Sequence, residues 1–158
     1  MKQVSSWQIV TAENMEAFGV WIATLFQSGD VVFLRGEMGS GKTTLVRGIA
    51  RGLDYPGRVS SPTFTLMNIY ETKLPIYHID FYRIEADDVV DLGLDDLTGG
   101  VMLLEWPEIG ADFVKEADFI IDISLTDEDY DLPRVLTLSV PMPQRFSSWK
   151  EGRDDFGY

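Results

Sequence analysis

Gly36-Glu37-Met38-Gly39-Ser40-Gly41-Lys42-Thr43 is the stretch that decides the fold. It fits G-x-x-x-x-G-K-S/T, the loop that cradles phosphates between a strand and a helix. Each residue type has a physical task. Gly36, Gly39 and Gly41 let the chain wrap closely and turn its backbone N–H groups inward, with no Cβ in the way. A helix starting near Lys42 aims its positive end at the same anion. Lys42 is long enough to reach β- and γ-phosphates, and the Thr43 hydroxyl is a ligand for Mg²⁺. Just upstream, Val31-Val32-Phe33-Leu34 is a continuous apolar run, the mark of a strand covered on both faces. Downstream, Leu45, Val46, Ile49 and Leu53 fall on one side of a helix predicted over 42–53. Strand, glycine loop and helix in that order predict a nucleoside triphosphate site with Mg²⁺.

Working outward, short apolar runs alternate with helical segments. Trp7 to Val10 reads as a first strand, and Thr11 as the N-cap of an amphipathic helix from Ala12 to Gln27. Further strands are predicted over 65–70, 76–80, 101–105, 119–125 and 135–140. This interleaving predicts a three-layer α/β domain. The chain of 158 residues suits one domain over 1–140, followed by an irregular tail over 141–158.

A metal-bound phosphate also needs a carboxylate at the end of a neighbouring strand. Asp80 closes Ile76-Tyr77-His78-Ile79-Asp80, and Glu105 closes Val101-Met102-Leu103-Leu104-Glu105. In a parallel sheet both emerge on the edge that carries the phosphate loop. One would hold Mg²⁺ and the other would orient the attacking water; the sequence does not say which. Thr63, in the loop Ser60-Ser61-Pro62-Thr63, is either a switch that senses the γ-phosphate or part of a plain polar turn. His78 reads as a packed or capped side chain rather than a catalyst. Trp106 reads either as a core aromatic or as an anchor facing a partner.

Composition excludes several classes. There is no Cys, so there is no disulfide scaffold, thiol nucleophile or Cys-ligated metal, and a single His rules out a His-rich metal site within one chain. Thirteen Lys plus Arg against 26 Asp plus Glu give a formal charge of −13. That balance argues against direct binding to bare nucleic acid or to an anionic membrane surface. No apolar run is long enough to span a bilayer, and the N-terminus lacks a signal-peptide core. A soluble cytoplasmic protein is expected. Residues 85–96 carry Glu85, Asp87, Asp88, Asp91, Asp95 and Asp96 and no basic residue, which predicts a solvated face or, alternatively, a docking surface for a basic partner.

Four strings in this order, GEMGSGKTT at 36–44, SPTF at 61–64, HIDFYR at 78–83 and LLEW at 103–106, resemble the TsaE (YjeE) family of small bacterial P-loop ATPases. The resemblance covers about residues 5–140. It implies a P-loop fold with a mixed, mainly parallel sheet and weak intrinsic ATP hydrolysis with ATP/ADP and Mg²⁺. It also implies association with TsaD and TsaB, which place threonylcarbamoyl on the adenosine beside the tRNA anticodon. The family member would regulate that pair and meet tRNA only indirectly. By position, Lys42 would contact phosphates, Thr43 and Glu105 would belong to the metal site, and Thr44 would lie on the α-phosphate side. Asp80 would serve hydrolysis, Thr63 would lie in the switch loop, and Trp106 would lie near the nucleotide or partner. Thr11 and Arg134 would lie near adenine and ribose. Met38 stands where many members carry Leu, a volume-conserving change. Two rivals remain at this level: a small-molecule kinase using the same loop, and a nucleotide-dependent binding module that never hydrolyses.

Overall fold

In the computed structural model the described residues are 3–37, 39–60, 67–82, 93–94, 97–106, 116–125 and 133–140. The expectations for Met38, Thr63, most of the acidic stretch 85–96 and the tail 141–158 lie outside them. The elements in chain order are β1 (Gln3–Ile9), α1 (Ala12–Ala23), β2 (Val31–Gly36), α2 (Lys42–Gly52), β3 (Met67–Tyr70), β4 (Ile76–Asp80), β5 (Val101–Glu105), β6 (Phe119–Leu125) and β7 (Arg134–Val140).

All seven strands form one sheet in the order β1-β7-β6-β2-β5-β4-β3. The central strands β6, β2, β5 and β4 pair in parallel, while β1, β7 and β3 join by antiparallel pairing. The mixed sheet expected of the family resemblance is therefore present. Parallel neighbours need crossover connections. Most residues of those from β4 to β5 and from β5 to β6 lie outside the described set.

The two helices pack together on one face of the sheet. Phe18 and Ile22 of α1 and Leu45 and Ile49 of α2 are buried against Val32, Leu34, Leu103 and Ile121. Each such aliphatic side chain contributes roughly 1.5–3 kcal/mol by leaving water. The helices can approach closely because Gly48 lies against the backbone of Glu16, where a Cβ would collide with its carbonyl oxygen. The alternate residues of the same strands, Val31, Ile79 and Leu104, point to the opposite face and form a second cluster with Phe81 and Leu94. Among the described residues, no helix is long and apolar enough to cross a membrane.

Two boundaries differ from expectation by more than two residues. β1 begins at Gln3 rather than Trp7, and it pairs along its whole length with β7. Its polar Ser6 lies 3.0 Å from the Thr137 hydroxyl across the pair. Helix α1 ends at Ala23, not Gln27. The Thr24 hydroxyl donates to the Trp21 carbonyl at 2.6 Å, and the Asp30 carboxylate accepts from the Gln27 N–H at 2.7 Å. Local side-chain bonds of this kind compete with helix continuation.

Candidate functional site

Register places the site. Strands β2, β5 and β4 run parallel side by side, with Leu34 opposite Glu105 and Glu105 opposite Asp80. Gly36, Asp80 and Glu105 therefore leave the sheet at the same carboxyl edge, where α/β sheets hold ligands. Both carboxylates are buried, each 4% exposed. Period-two alternation puts His78, Asp80 and Glu105 on the helix-bearing face.

The described residues of the glycine loop between β2 and α2 have the backbone freedom that close approach requires. Gly41 has φ 112°, a left-handed conformation that side-chain-bearing residues avoid, and it enters α2 with no side-chain cap. The first N–H groups of α2 are thereby left for a ligand. Ser40 Oγ is completely buried and has no hydrogen-bond partner among the described residues. Arg134 holds the loop from β7, donating from Nε to the Ser40 carbonyl at 3.2 Å and from Nη2 to the Gly39 carbonyl at 3.3 Å.

Lys42 is a buried cation with three specific neighbours. Its Nζ donates to the Gly36 carbonyl at 2.7 Å, lies 3.7 Å from Glu105 Oε1, and sits 4.5 Å from the centroid of the Trp106 ring. Trp106 has φ 55°, a genuine outlier for a bulky residue. Strained backbone of this kind concentrates at functional sites. The Tyr82 ring packs on Trp106 with centroids 5.0 Å apart, and the Asp80 carboxylate accepts from the Tyr82 N–H at 2.9 Å.

Behind Glu105 runs a buried polar chain. Glu105 Oε2 lies 2.6 Å from His78 Nε2, and His78 Nδ1 lies 3.3 Å from the Tyr70 hydroxyl, which donates to the Ser60 carbonyl at 3.1 Å. An ionised carboxylate only accepts, so Nε2 is the donor to Glu105. Burial pushes the Glu105 carboxyl up, but the hydrogen bond and charge of His78, together with Lys42, outweigh it and hold the group below the usual carboxylate range. Burial pushes the Tyr70 phenol above its ordinary value, and its hydrogen bonds only partly offset this.

These groups surround a cavity of about 480 Å³. Its polar wall includes Lys42, Thr43, Thr44, Asp80, Glu105 and Arg134; Ile9, Val10 and Met15 supply an apolar wall. Gly39, Gly41, Thr11 and Trp106 complete the predicted set in the lining, with Gly36 and Ser40 bonded within or beneath the loop. Thr11 also caps α1, its Oγ1 accepting from the Asn14 N–H at 3.1 Å. The structure thus gathers every predicted site residue that it describes. Sequence reasoning missed His78 as a member of the site, and it missed Tyr70 and Tyr82. Period-two counting back from Asp80 was the available signal for His78. Among the described residues, no group of three or more His, Asp or Glu side chains converges as a metal site would.

Comparison with known proteins agrees with this geometry. The sequence model of a family described as threonylcarbamoyl adenosine biosynthesis protein TsaE matches residues 9–134. The chain is 43% identical over 112 residues to the tRNA threonylcarbamoyladenosine biosynthesis protein TsaE of Bacillus subtilis, covering 69% of this chain and 70% of that protein. It is 36% identical over 118 residues to the protein of the same name from Treponema pallidum, covering 73% and 86%. The crystal structure of Bacillus subtilis YdiB superposes with a TM-score of 0.72 at 30% identity, covering 92% of this chain and 90% of that one.

Proposed function

The chain belongs to the TsaE family, and from that premise we propose that it is an Mg²⁺-dependent, slow ATPase that regulates the tRNA threonylcarbamoyladenosine machinery. In this reading it acts on the TsaD–TsaB pair and does not itself transfer the group. The observation that carries the ATPase reading is Lys42, buried at the mouth of α2 with its ammonium between the Gly36 carbonyl and Glu105. A buried cation facing a cavity beside uncapped helix N–H groups is suited to polyphosphate.

The residues present fit the ligand. Ser40 Oγ is a buried polar atom that has no partner among the described residues. The Thr43 hydroxyl and the ionised Glu105 are hard oxygen donors on the same cavity wall, the kind Mg²⁺ takes alongside phosphate and water. Mg²⁺ bound there would neutralise charge on the β- and γ-phosphate oxygens. The protein's own part is positioning. Loop amides and Lys42 fix the phosphates, and Thr44 lies beside them at the start of α2. Thr11, Arg134 and the apolar wall receive the nucleoside end. Water attacks the γ-phosphorus, the bond to the β–γ bridging oxygen breaks, and ADP and phosphate leave. Asp80 and Glu105 are the carboxylates available to orient that water. Trp106 and Tyr82 cover the phosphate end. The loop around Thr63 is the segment in which ATP-bound and ADP-bound forms differ in this proposal.

Lys42→Ala is expected to weaken ATP binding roughly ten- to hundredfold, from charge-assisted bonds worth about 1.5–3 kcal/mol, and to remove turnover. Calorimetric titration and phosphate release measure the two. An alanine variant with undiminished ATPase would end the proposal.

A further inference from the structure

Another, smaller cavity of about 240 Å³ is lined by the C-terminal half of α2 and the segment that follows. Arg47, Arg51 and Arg58 line it together with Tyr55. Arg47 and Arg51 are one helical turn apart, so they share a face. Both reach the one carboxylate of Glu16 on α1, at 3.4 and 2.6 Å. Arg58 makes no ion pair among the described residues. Among the described residues three guanidinium groups line the cavity and one carboxylate pairs with them, a local positive site in a chain of formal charge −13.

The cavity is also wired to the phosphate site. The Tyr55 ring packs on Tyr70 with centroids 5.0 Å apart. The Tyr70 hydroxyl meets both the Ser60 carbonyl and His78, and His78 holds Glu105 beside Lys42. A group that fixes Arg58 and Tyr55 therefore bears on the side chain that orients Glu105.

We propose that this cavity is the docking site for an acidic side chain of a protein partner, and that its occupation steadies Glu105 through Tyr55, Tyr70 and His78. The proposal rests on the regulatory reading above. Guanidinium is matched to carboxylate by its planar fork, and the adjacent Tyr55 ring offers apolar contact to the stem of an incoming Glu or Asp. A protein fits better than RNA. The concavity is sized for one side chain rather than a run of phosphodiesters, and the chain's formal charge of −13 repels a polyanion. It fits better than a free anion as well. Arg47 and Arg51 side chains are 42% and 61% exposed, so a small ion there competes with water, whereas a partner surface would exclude it.

Arg58→Glu tests this, because Arg58 contributes to neither the phosphate site nor the α1–α2 ion pairs. Basal ATP affinity and turnover are expected to stay at the wild-type level, while affinity for the TsaD–TsaB pair falls about tenfold or more and stimulation by the pair is lost. Arg58→Ala should fall between the two. Wild-type affinity in Arg58→Glu would overturn the proposal. In a second arm, arginine Nε–H signals of ¹⁵N-labelled protein are followed while a short glutamate-rich peptide, an RNA hairpin or inorganic phosphate is added. Shifts at Arg51 and Arg58 with the peptide, absent in Arg58→Glu, support the assignment. Shifts with only the hairpin or only phosphate overturn the protein partner, and no shift with any probe overturns the site. If the pair fails to bind even the wild-type protein, the regulatory reading falls, and the peptide arm still decides the cavity.

Discussion

Strands β4 and β5 present two halves to the helix layer. At one end Ile76 and Val101, with Leu103 opposite His78 at the join of the two halves, are fully buried in the apolar core. At the other end, on the same face of the same strands, His78, Asp80 and Glu105 are buried almost as deeply. Burial is equal, but its consequences differ. The apolar half gains free energy by leaving water. The polar half loses hydration and recovers it only through aligned partners: His78 for Glu105, Lys42 beside it, and Tyr70 behind. One half makes the sheet stable, and the other keeps an ionised carboxylate at the mouth of the cavity. Substitutions should therefore separate stability from turnover according to which half they touch.

The largest stability effect is expected at Leu103. Leu103→Ala removes a fully buried side chain from the helix-facing core and should cost about 2–5 kcal/mol in denaturant unfolding. The protein that remains folded should bind ATP as before. Lost ATP affinity at a temperature where the variant is fully folded would break the separation of the two halves. His78→Leu comes next. It leaves the buried Glu105 Oε2 without its donor, at a cost of about 1–3 kcal/mol. Here the turnover number should fall more than ATP affinity, because the phosphates keep Lys42 and the loop amides. His78→Gln, which can present an N–H near the position of Nε2, should recover part of the turnover. A leucine variant that is fully active, or more stable than wild type, would show that the polar half is packing alone.

How much of this was legible in the sequence follows the same division. The phosphate loop, β2, α2 and the terminal acids Asp80 and Glu105 were readable because each is local: a glycine spacing, an apolar run, a carboxylate closing a strand. Strand β4 was expected over 76–80 and β5 over 101–105, and both are found there. The convergence of Asp80 and Glu105 also came through, since parallel pairing was expected and the register sets them opposite each other. His78 was read as packed, because its role depends on Glu105, 27 residues away, and on Tyr70 from an antiparallel neighbour. No spacing within one strand encodes that. The overlong α1 has a different cause. Phe26 continues the apolar period, and it is indeed buried, packing on Phe119 with centroids 5.0 Å apart. Hydrophobic periodicity reported its burial correctly, while the Thr24 and Asp30 bonds to the backbone had already ended the helix. Arg134 was expected near the nucleoside; the structure shows it bonded to the Gly39 and Ser40 carbonyls, bracing the glycine loop.

The smallest effect tests the outer end of the polar chain. Tyr70→Phe keeps the ring that packs on Tyr55 and removes only the hydroxyl that meets Ser60 and His78. A net loss of about 0.5–1.5 kcal/mol near neutral pH is expected. The sign should change its weight at high pH. Burial raises the Tyr70 pKa above the ordinary 10.0. Below pH 10.0 both folded and unfolded chains hold the phenolic proton, and the contribution of the hydroxyl is fully present. Above it the unfolded chain releases the proton first and the folded chain retains it, so the unfolded state binds fewer protons and stability falls as pH rises. Phe has no proton to lose. Urea unfolding of both proteins at neutral pH and above pH 10 should therefore show the gap between them narrowing as pH climbs. A gap that stays constant would mean that the Tyr70 hydroxyl is open to water in solution, and that the polar half ends at His78.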